Sequence, residues 1–116
     1  MSDQRSHRLR LSWGGATDQG RVRANNQDAM YADWGLFVVA DGMGGHQGGE
    51  VAANLAVRAV TKAERSSTNE LRDAVAEANR LVHDTAIAQP ELHGMGTTLT
   101  VLAISQQGDE NQFVVL

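Results

Sequence analysis

Three polar residues in the first half of the chain could perform chemistry together: Arg23, Asp28 and Asp41. Asp28 precedes a short strand pattern, and Asp41 directly follows the apolar run at 36–40. Two carboxylates that arrive from neighbouring strands could bind a hard cation such as Mg²⁺ or Mn²⁺, because these ions prefer oxygen ligands. The alternative interpretation is that both aspartates are turn residues whose side chains bond their own backbone, with Arg23 an ordinary surface arginine.

A glycine-rich stretch follows Asp41 in the sequence VVADGMGGHQGGE. Five of the eight residues after Asp41 are glycines. The stretch is not a Walker loop, because no Gly-Lys-Ser/Thr follows, and it is not a dinucleotide fingerprint, because Gln47 stands where the third glycine would be needed. A plain strand-to-helix connection requires fewer glycines than this. We therefore expect the backbone to come close to another group here.

Strand patterns flank both aspartates. An alternation of Leu9, Leu11 and Trp13 predicts a strand that enters a turn. Residues 29–32 predict a short strand and residues 35–40 predict a buried one. The sequence ADWG between these two strands is typical of a hairpin turn.

Two amphipathic helices are predicted after the glycines. The first has small apolar residues at helical spacing: Val51, Leu55, Ala59 and Ala63, joined by Ala52, Ala56 and Val60. The second begins at a capping box formed by Ser67 and Glu70 and runs to about Ala88, before Pro90. Because a short polar segment joins them, we expect an antiparallel helix hairpin. The apolar stripe of the second helix consists of Leu71, Val75, Ala78 and Val82.

Strand patterns return after the helices. GMGTTLTVLAI predicts a strand, with Leu99, Val101 and Ala103 on one face and Leu102 and Ile104 on the other. QQGDEN predicts a turn and QFVVL predicts a last strand. The order of strands, two helices and strands predicts an α+β fold. Because the strand pattern breaks off at Leu116, we expect residues 1–116 to be the N-terminal part of a single larger domain, truncated at the C-terminus.

Composition narrows the class of protein. The chain has 116 residues, of which 41% are hydrophobic and 21% charged, a globular mixture. The net charge of -4 and the lack of a basic run argue against a nucleic-acid partner. Cysteine is absent, which excludes disulfides and thiolate metal sites. The longest apolar run is LFVVA, too short to cross a membrane, so we expect no membrane segment and a cytoplasmic location.

Three motifs carry a family resemblance: TDQGRVRANNQD, LFVVADGMGGHQGGE and GMGTTLTV, in this order and spacing. Together they resemble the N-terminal half of the bacterial metal-dependent serine/threonine protein phosphatases of the PPM, or type 2C, family. The resemblance implies a four-layer α-β-β-α sandwich, present here only as its N-terminal half. It also implies hydrolysis of phosphoserine and phosphothreonine by a water activated at two Mn²⁺ or Mg²⁺ ions. The implied partners are phosphorylated proteins, the substrates of a serine/threonine kinase.

The resemblance assigns roles to matching residues. Arg23 would bind the substrate phosphate, and Asp28 would face the binuclear metal centre. Asp41 would bridge the two metals, and the carbonyl of Gly42 would complete one coordination sphere. Met43 stands where eukaryotic members carry a histidine proposed as the general acid.

The second half of the family's domain would supply further metal-binding aspartates. We therefore expect the isolated chain to be inactive and to bind at most one divalent ion loosely. The alternative function is a non-catalytic, phosphatase-like module that binds a phosphoprotein or regulates a partner.

Overall fold

A computed structural model describes residues 12–16, 27–33, 35–45, 47–63, 67–107 and 110–115. These residues form an α+β fold in the predicted order. Its elements are β1 (Asp28–Asp33), β2 (Leu36–Met43), α1 (Gly48–Lys62), α2 (Thr68–Ala88), a 3₁₀ turn (Pro90–Leu92), β3 (Gly96–Thr97), β4 (Thr100–Gln107) and β5 (Glu110–Val115).

The strands form one antiparallel sheet in the order β1-β2-β4-β5, and β3 pairs with the end of β2. The β1–β2 hairpin is confirmed, and Gly35 in its turn has a φ of 84°, a conformation that favours glycine. β2 runs past the predicted end at residue 40, because Gly42 and Met43 pair with Thr97 and Gly96. That partner lies far along the chain, so a local pattern could not reveal it.

The structure differs from the sequence prediction at two other places. The strands extend into both ends of the predicted turn QQGDEN, because the β4–β5 ladder continues to the pair Gln107 and Glu110, and residues 108–109 between them lie outside the described residues. Cross-strand backbone pairing holds these polar residues in place in spite of their turn-like sequence. Residues 12–16 form no strand, although Trp13 does contact the sheet. Leu9 and Leu11, the other residues of that pattern, lie outside the described residues.

The hydrophobic core lies between the sheet and α1. Alternate residues of β2 are fully buried, and Val101 of β4 joins them. Small residues on α1 let its backbone come close to the sheet. The core cluster comprises Ala29, Leu36, Val38, Ala40, Ala53, Val57, Val60, Leu71, Val101 and Ala103.

The buried stripe of α1 is rotated slightly from the prediction. Ala52, Ala56 and Val60 are buried as expected. Ala53 and Val57 are also buried, and the predicted residues Val51, Leu55, Ala59 and Ala63 are only half buried. The rotation follows from packing on two sides, because α1 contacts both the sheet and α2.

The predicted start and end of α2 are confirmed. The hydroxyl of Ser67 accepts a hydrogen bond from the Glu70 N–H at 3.2 Å, and the helix ends at Ala88. Ala52, near the start of α1, packs in one cluster with Val82 and Ala86, near the end of α2. The two helices are therefore antiparallel. Neither of the helices in the described ranges is long and apolar enough to cross a bilayer.

The other face of the sheet, here called the open face, carries the outward residues of β2: Phe37, Val39, Asp41 and Met43. Val39 is 58% exposed in spite of being apolar. Leu102 of β4 pairs with Phe37, and the Trp13 ring packs edge-on against Phe37 at a centroid distance of 5.6 Å. The helices described above cover the opposite face.

Candidate metal centre

Asp28 and Asp41 lie directly opposite each other in the β1–β2 ladder. Both are strand residues, so the interpretation that they are turn residues is wrong. The Gly42 N–H donates to the Gln27 carbonyl at 3.1 Å, which makes Gln27 and Gly42 a hydrogen-bonded pair. Asp28 and Asp41 therefore form the neighbouring non-hydrogen-bonded pair, in which side chains approach most closely. The Cβ atoms of such pairs lie about 4.5–5.5 Å apart.

The carboxylate pair suits a hard cation. Like charges directly opposite each other in a ladder are destabilising, and a divalent cation between them offsets that repulsion. Asp41 is exposed on the open face, whereas Asp28 is half buried and its Oδ1 atom is shielded from solvent. Within the described part of the chain, no cluster of three or more potential metal-binding side chains occurs. Asp28 and Asp41 together could thus supply only part of a coordination sphere.

The glycines beside Asp41 allow the end of β2 to touch the start of α1. A Cβ atom on Gly42 would collide with the carbonyl oxygen of Gly49 and would lie 2.7 Å from the Gln27 carbonyl oxygen. A Cβ atom on Gly49 would lie 2.5 Å from Gln27 Oε1 and 2.8 Å from the Met43 nitrogen. The Gln27 side chain also donates from Nε2 to the Gly44 carbonyl at 3.3 Å. The backbone crowding expected from the sequence is therefore present.

Two further glycines accommodate Met95. Gly44 has a φ of 147°, and a Cβ atom there would lie 3.1 Å from the Met95 Cα. A Cβ atom on Gly48 would lie 3.0 Å from the Met95 Cβ. Gly45 differs, since a Cβ atom there would have nothing within 4 Å. These close approaches within the chain explain the glycine-rich sequence, and metal coordination by the Gly42 carbonyl stays a prediction.

Thr98 holds the main chain of Asp41. The Asp41 N–H donates to Thr98 Oγ1 at 3.0 Å, and the Thr98 N–H donates to the Asp41 carbonyl at 2.9 Å. Sequence reasoning did not single out Thr98, because a threonine in a strand pattern is an ordinary β-former. The only signal was its place within the motif GMGTTLTV.

Of the other two candidate residues, Arg23 and Met43, the structure describes only Met43. Arg23 lies outside the described residues, so its phosphate-binding role stays a prediction. Met43 is 57% exposed on the open face, two residues beyond Asp41. The structure thus brings together Asp28, Asp41 and the backbone of Gly42.

Comparison with known proteins finds similar serine/threonine phosphatases. The chain is 39% identical over 99 residues to the serine/threonine protein phosphatase PstP of Mycobacterium tuberculosis, covering 81% of this chain and 19% of PstP. It is 35% identical over 108 residues to the serine/threonine phosphatase stp of Listeria monocytogenes, covering 78% of this chain and 41% of that protein. A crystal structure of the PstP catalytic domain in complex with two manganese ions matches with a TM-score of 0.71 at 32% identity, covering 84% of this chain and 51% of that one.

The chain spans less than half the length of these two relatives and about half of the solved catalytic domain. Its sheet, with helices on one face, corresponds to the N-terminal half of the four-layer α-β-β-α sandwich. The family model for protein phosphatase 2C matches residues 17–116, which include both aspartates, the glycine-rich stretch and Thr98. On this match, the chain belongs to the protein phosphatase 2C, or PPM, family.

Proposed function

We propose that residues 1–116 are the N-terminal part of a metal-dependent serine/threonine protein phosphatase domain. The domain hydrolyses phosphoserine and phosphothreonine with a water activated at a binuclear Mn²⁺ or Mg²⁺ centre. The observation that carries the proposal is the placement of Asp28 opposite Asp41 at one end of the sheet. The serine/threonine phosphatases that the chain resembles support the substrate class.

Each candidate residue has a distinct role in this proposal. Asp28 and Asp41 bind the metal ions, and the Gly42 carbonyl adds a neutral oxygen ligand. When bound, the ions supply Lewis acidity, which lowers the pKa of a water and neutralises charge on the phosphoryl oxygens. Arg23 orients the substrate, because its planar guanidinium can donate to two phosphoryl oxygens at once.

The part of the chain that the structure describes holds too few ligands for this chemistry. A cation such as Mg²⁺ takes about six oxygen ligands, and two neighbouring dications repel each other unless several carboxylates surround them. Among the described residues, the site has two carboxylates, Asp28 and Asp41. We therefore propose that the chain alone is inactive and binds at most one divalent ion loosely.

Metal binding is the first test. Mn²⁺ is titrated into the purified chain, and the free ion is measured by electron paramagnetic resonance. Asp41→Asn should abolish the weak binding, because a neutral amide is a poor ligand for a hard cation. Asp33→Asn, at the other end of β1, is the matched control and should leave binding intact. Equal binding by Asp41→Asn and the unsubstituted chain would refute the metal site.

Catalysis is tested in a complete domain, made by continuing this chain with the second half of a related phosphatase. Arg23→Ala should reduce kcat/KM for a phosphopeptide, because a charge-assisted contact worth about 1.5 to 3 kcal/mol is lost. The affinity for Mn²⁺ should not change. Phosphopeptide hydrolysis that persists after exhaustive chelation would contradict the metal mechanism. A complete domain that binds a phosphopeptide without hydrolysing it would favour the non-catalytic module.

The partners follow from the same proposal. The substrates are proteins phosphorylated on serine or threonine by a kinase, and the cytoplasmic location expected from the sequence belongs to this proposal as well.

A further inference from the structure

We propose that Thr98 is a positioning residue for Asp41. In a regular β-ladder the Asp41 N–H would donate to the Thr98 carbonyl, but here it donates to the Thr98 side-chain hydroxyl. The hydroxyl thereby fixes the main chain of Asp41. The metal-binding consequence rests on the function proposed above, whereas the hydrogen-bonding role rests on the geometry alone.

The β-ladder is interrupted at Thr98 without a change of register. On one side of the interruption Gly42 pairs with Thr97, and on the other side Val39 pairs with Thr100. Both pairs belong to the same antiparallel register, so Thr98 stands opposite Asp41. A β-bulge would insert an extra residue, and none is inserted here. The interruption therefore comes from hydrogen bonding and not from an irregular count of residues.

Of the two main-chain hydrogen bonds expected between Asp41 and Thr98, one is formed and the other is replaced. In a hydrogen-bonded antiparallel pair, each residue donates its N–H to the carbonyl of the other. The Thr98 N–H does donate to the Asp41 carbonyl, at 2.9 Å. The Asp41 N–H, however, donates to Thr98 Oγ1 at 3.0 Å. The Thr98 carbonyl accepts instead from the Thr97 hydroxyl at 2.7 Å.

The Thr98 hydroxyl thus sits between the two polar groups of the Asp41 main chain. Its oxygen lies 3.4 Å from the Asp41 carbonyl, to which its O–H can donate. On the β1 side, Asp41 faces Asp28 in a non-hydrogen-bonded pair, so the Asp41 N–H and carbonyl both point toward Thr98. The direction in which the Asp41 carboxylate leaves the strand therefore depends on the Thr98 side chain.

The chain offers variants that separate positioning from folding. Thr98 is exposed, so its replacement leaves no cavity in the core. Thr98→Val keeps the branched shape and removes the hydroxyl, whereas Thr98→Ser keeps the hydroxyl. Thr100→Val is the matched control, because Thr100 is also an exposed threonine in the same segment.

The experiment uses the ¹⁵N-labelled chain and two nuclear magnetic resonance readouts. The first is the hydrogen-exchange rate of the Asp41 amide. The second is the paramagnetic broadening of amide signals near residues 28 and 41 during a titration with Mn²⁺. In Thr98→Val we expect exchange to be faster and apparent Mn²⁺ affinity to be lower, each by about three- to tenfold, the loss of one hydrogen bond. Thr98→Ser and Thr100→Val should both match the unsubstituted chain.

Unchanged exchange or unchanged Mn²⁺ affinity in Thr98→Val would overturn the proposal, as would an equal effect in Thr100→Val. A Thr98→Ser protein that behaves like Thr98→Val would also overturn it, because the hydroxyl would then not be the active group. If the unsubstituted chain shows no broadening near residues 28 and 41, the metal site fails and the positioning role fails with it. The exchange rates would still show whether Thr98 anchors the Asp41 amide.

Discussion

The two α-helices in the described part of the chain begin in opposite ways. α2 starts at Ser67, whose hydroxyl accepts from the Glu70 N–H and satisfies an N–H group that would otherwise lack a partner within the helix. α1 starts at Gln47, which makes no side-chain cap hydrogen bond, and its first two helical residues are Gly48 and Gly49. Glycine costs about 1 kcal/mol relative to alanine inside a helix. The local sequence therefore favours the start of α2 and disfavours the start of α1.

The difference follows from what each helix start contacts. The start of α1 lies against the end of β2, where Gly42 and Gly49 touch and the candidate metal ligand Asp41 is held. Side chains at these glycines would push the helix away from the strand. The start of α2 has no comparable close approach to β2, so its sequence follows the ordinary capping preference. Local helix stability is thus reduced where backbone proximity is required.

Substitution of Gly42 should produce the largest effect. A Cβ atom would collide with the backbone of Gly49 and lie 2.7 Å from the Gln27 carbonyl oxygen, and neither backbone group can rotate away. We expect Gly42→Ala to lower the free energy of unfolding by about 3 kcal/mol or more, at the upper end for overpacking. Urea denaturation followed by circular dichroism measures this. A loss below 1 kcal/mol would show that β2 and α1 can separate easily.

Gly49→Ala should have a smaller effect. Its Cβ atom would lie 2.5 Å from the Gln27 side-chain oxygen, which can move, and 2.8 Å from the Met43 backbone nitrogen, which is less free to move. Alanine also favours the helix by about 1 kcal/mol, which offsets part of the crowding. We expect a net destabilisation of about 1–2 kcal/mol in the same denaturation experiment. A more stable variant would mean that the start of α1 is not crowded.

Ser67→Ala tests the capped helix start. Loss of the Ser67 hydroxyl leaves the Glu70 N–H without its acceptor and should cost about 1 kcal/mol. Because α2 begins away from Asp28 and Asp41, Mn²⁺ binding should not change. Thr98→Val, in contrast, should change Mn²⁺ affinity with little change in stability. A Ser67→Ala protein with altered Mn²⁺ affinity would contradict this separation between cap and site.

Gly45→Ala should have the smallest effect. A Cβ atom at Gly45 would meet nothing within 4 Å, so the added methyl group is accommodated without movement. The free energy of unfolding should change by less than about 0.5 kcal/mol, as for ordinary surface substitutions. The variant serves as the matched control for Gly42→Ala and Gly49→Ala. A large loss of stability here would mean that any residue other than glycine in this segment is harmful.

Much of the secondary structure was predictable because its causes are local. The alternation in 35–40 and the turn sequence ADWG predicted the β1–β2 hairpin, and the capping box predicted the start of α2. Asp28 and Asp41 were identified as partners because two adjacent strands place their ends together. The family resemblance added the metal chemistry, which strand spacing alone left open.

Other features depend on partners that are distant in the sequence. β2 extends beyond residue 40 because β3 pairs with it, and the stripe of α1 turns toward both the sheet and α2. β4 and β5 extend into the ends of the predicted turn because their backbones pair as far as Gln107 and Glu110. These contacts join segments that are distant in the sequence, so they leave no sign in the spacing of apolar and polar residues from which strands and helices are predicted.

The amino-acid sequence by itself determined the element order, the helix hairpin, the two aspartates and the need for close backbone contact at the glycines. Only the tertiary structure decided what the glycines approach and which group holds Asp41. The glycines face Gln27, Met95 and one another, and the Thr98 hydroxyl binds the Asp41 amide across 57 positions of sequence. The physical reason is that a hydrogen bond or a steric contact depends on distance in space, whereas periodicity reports only neighbours along the chain.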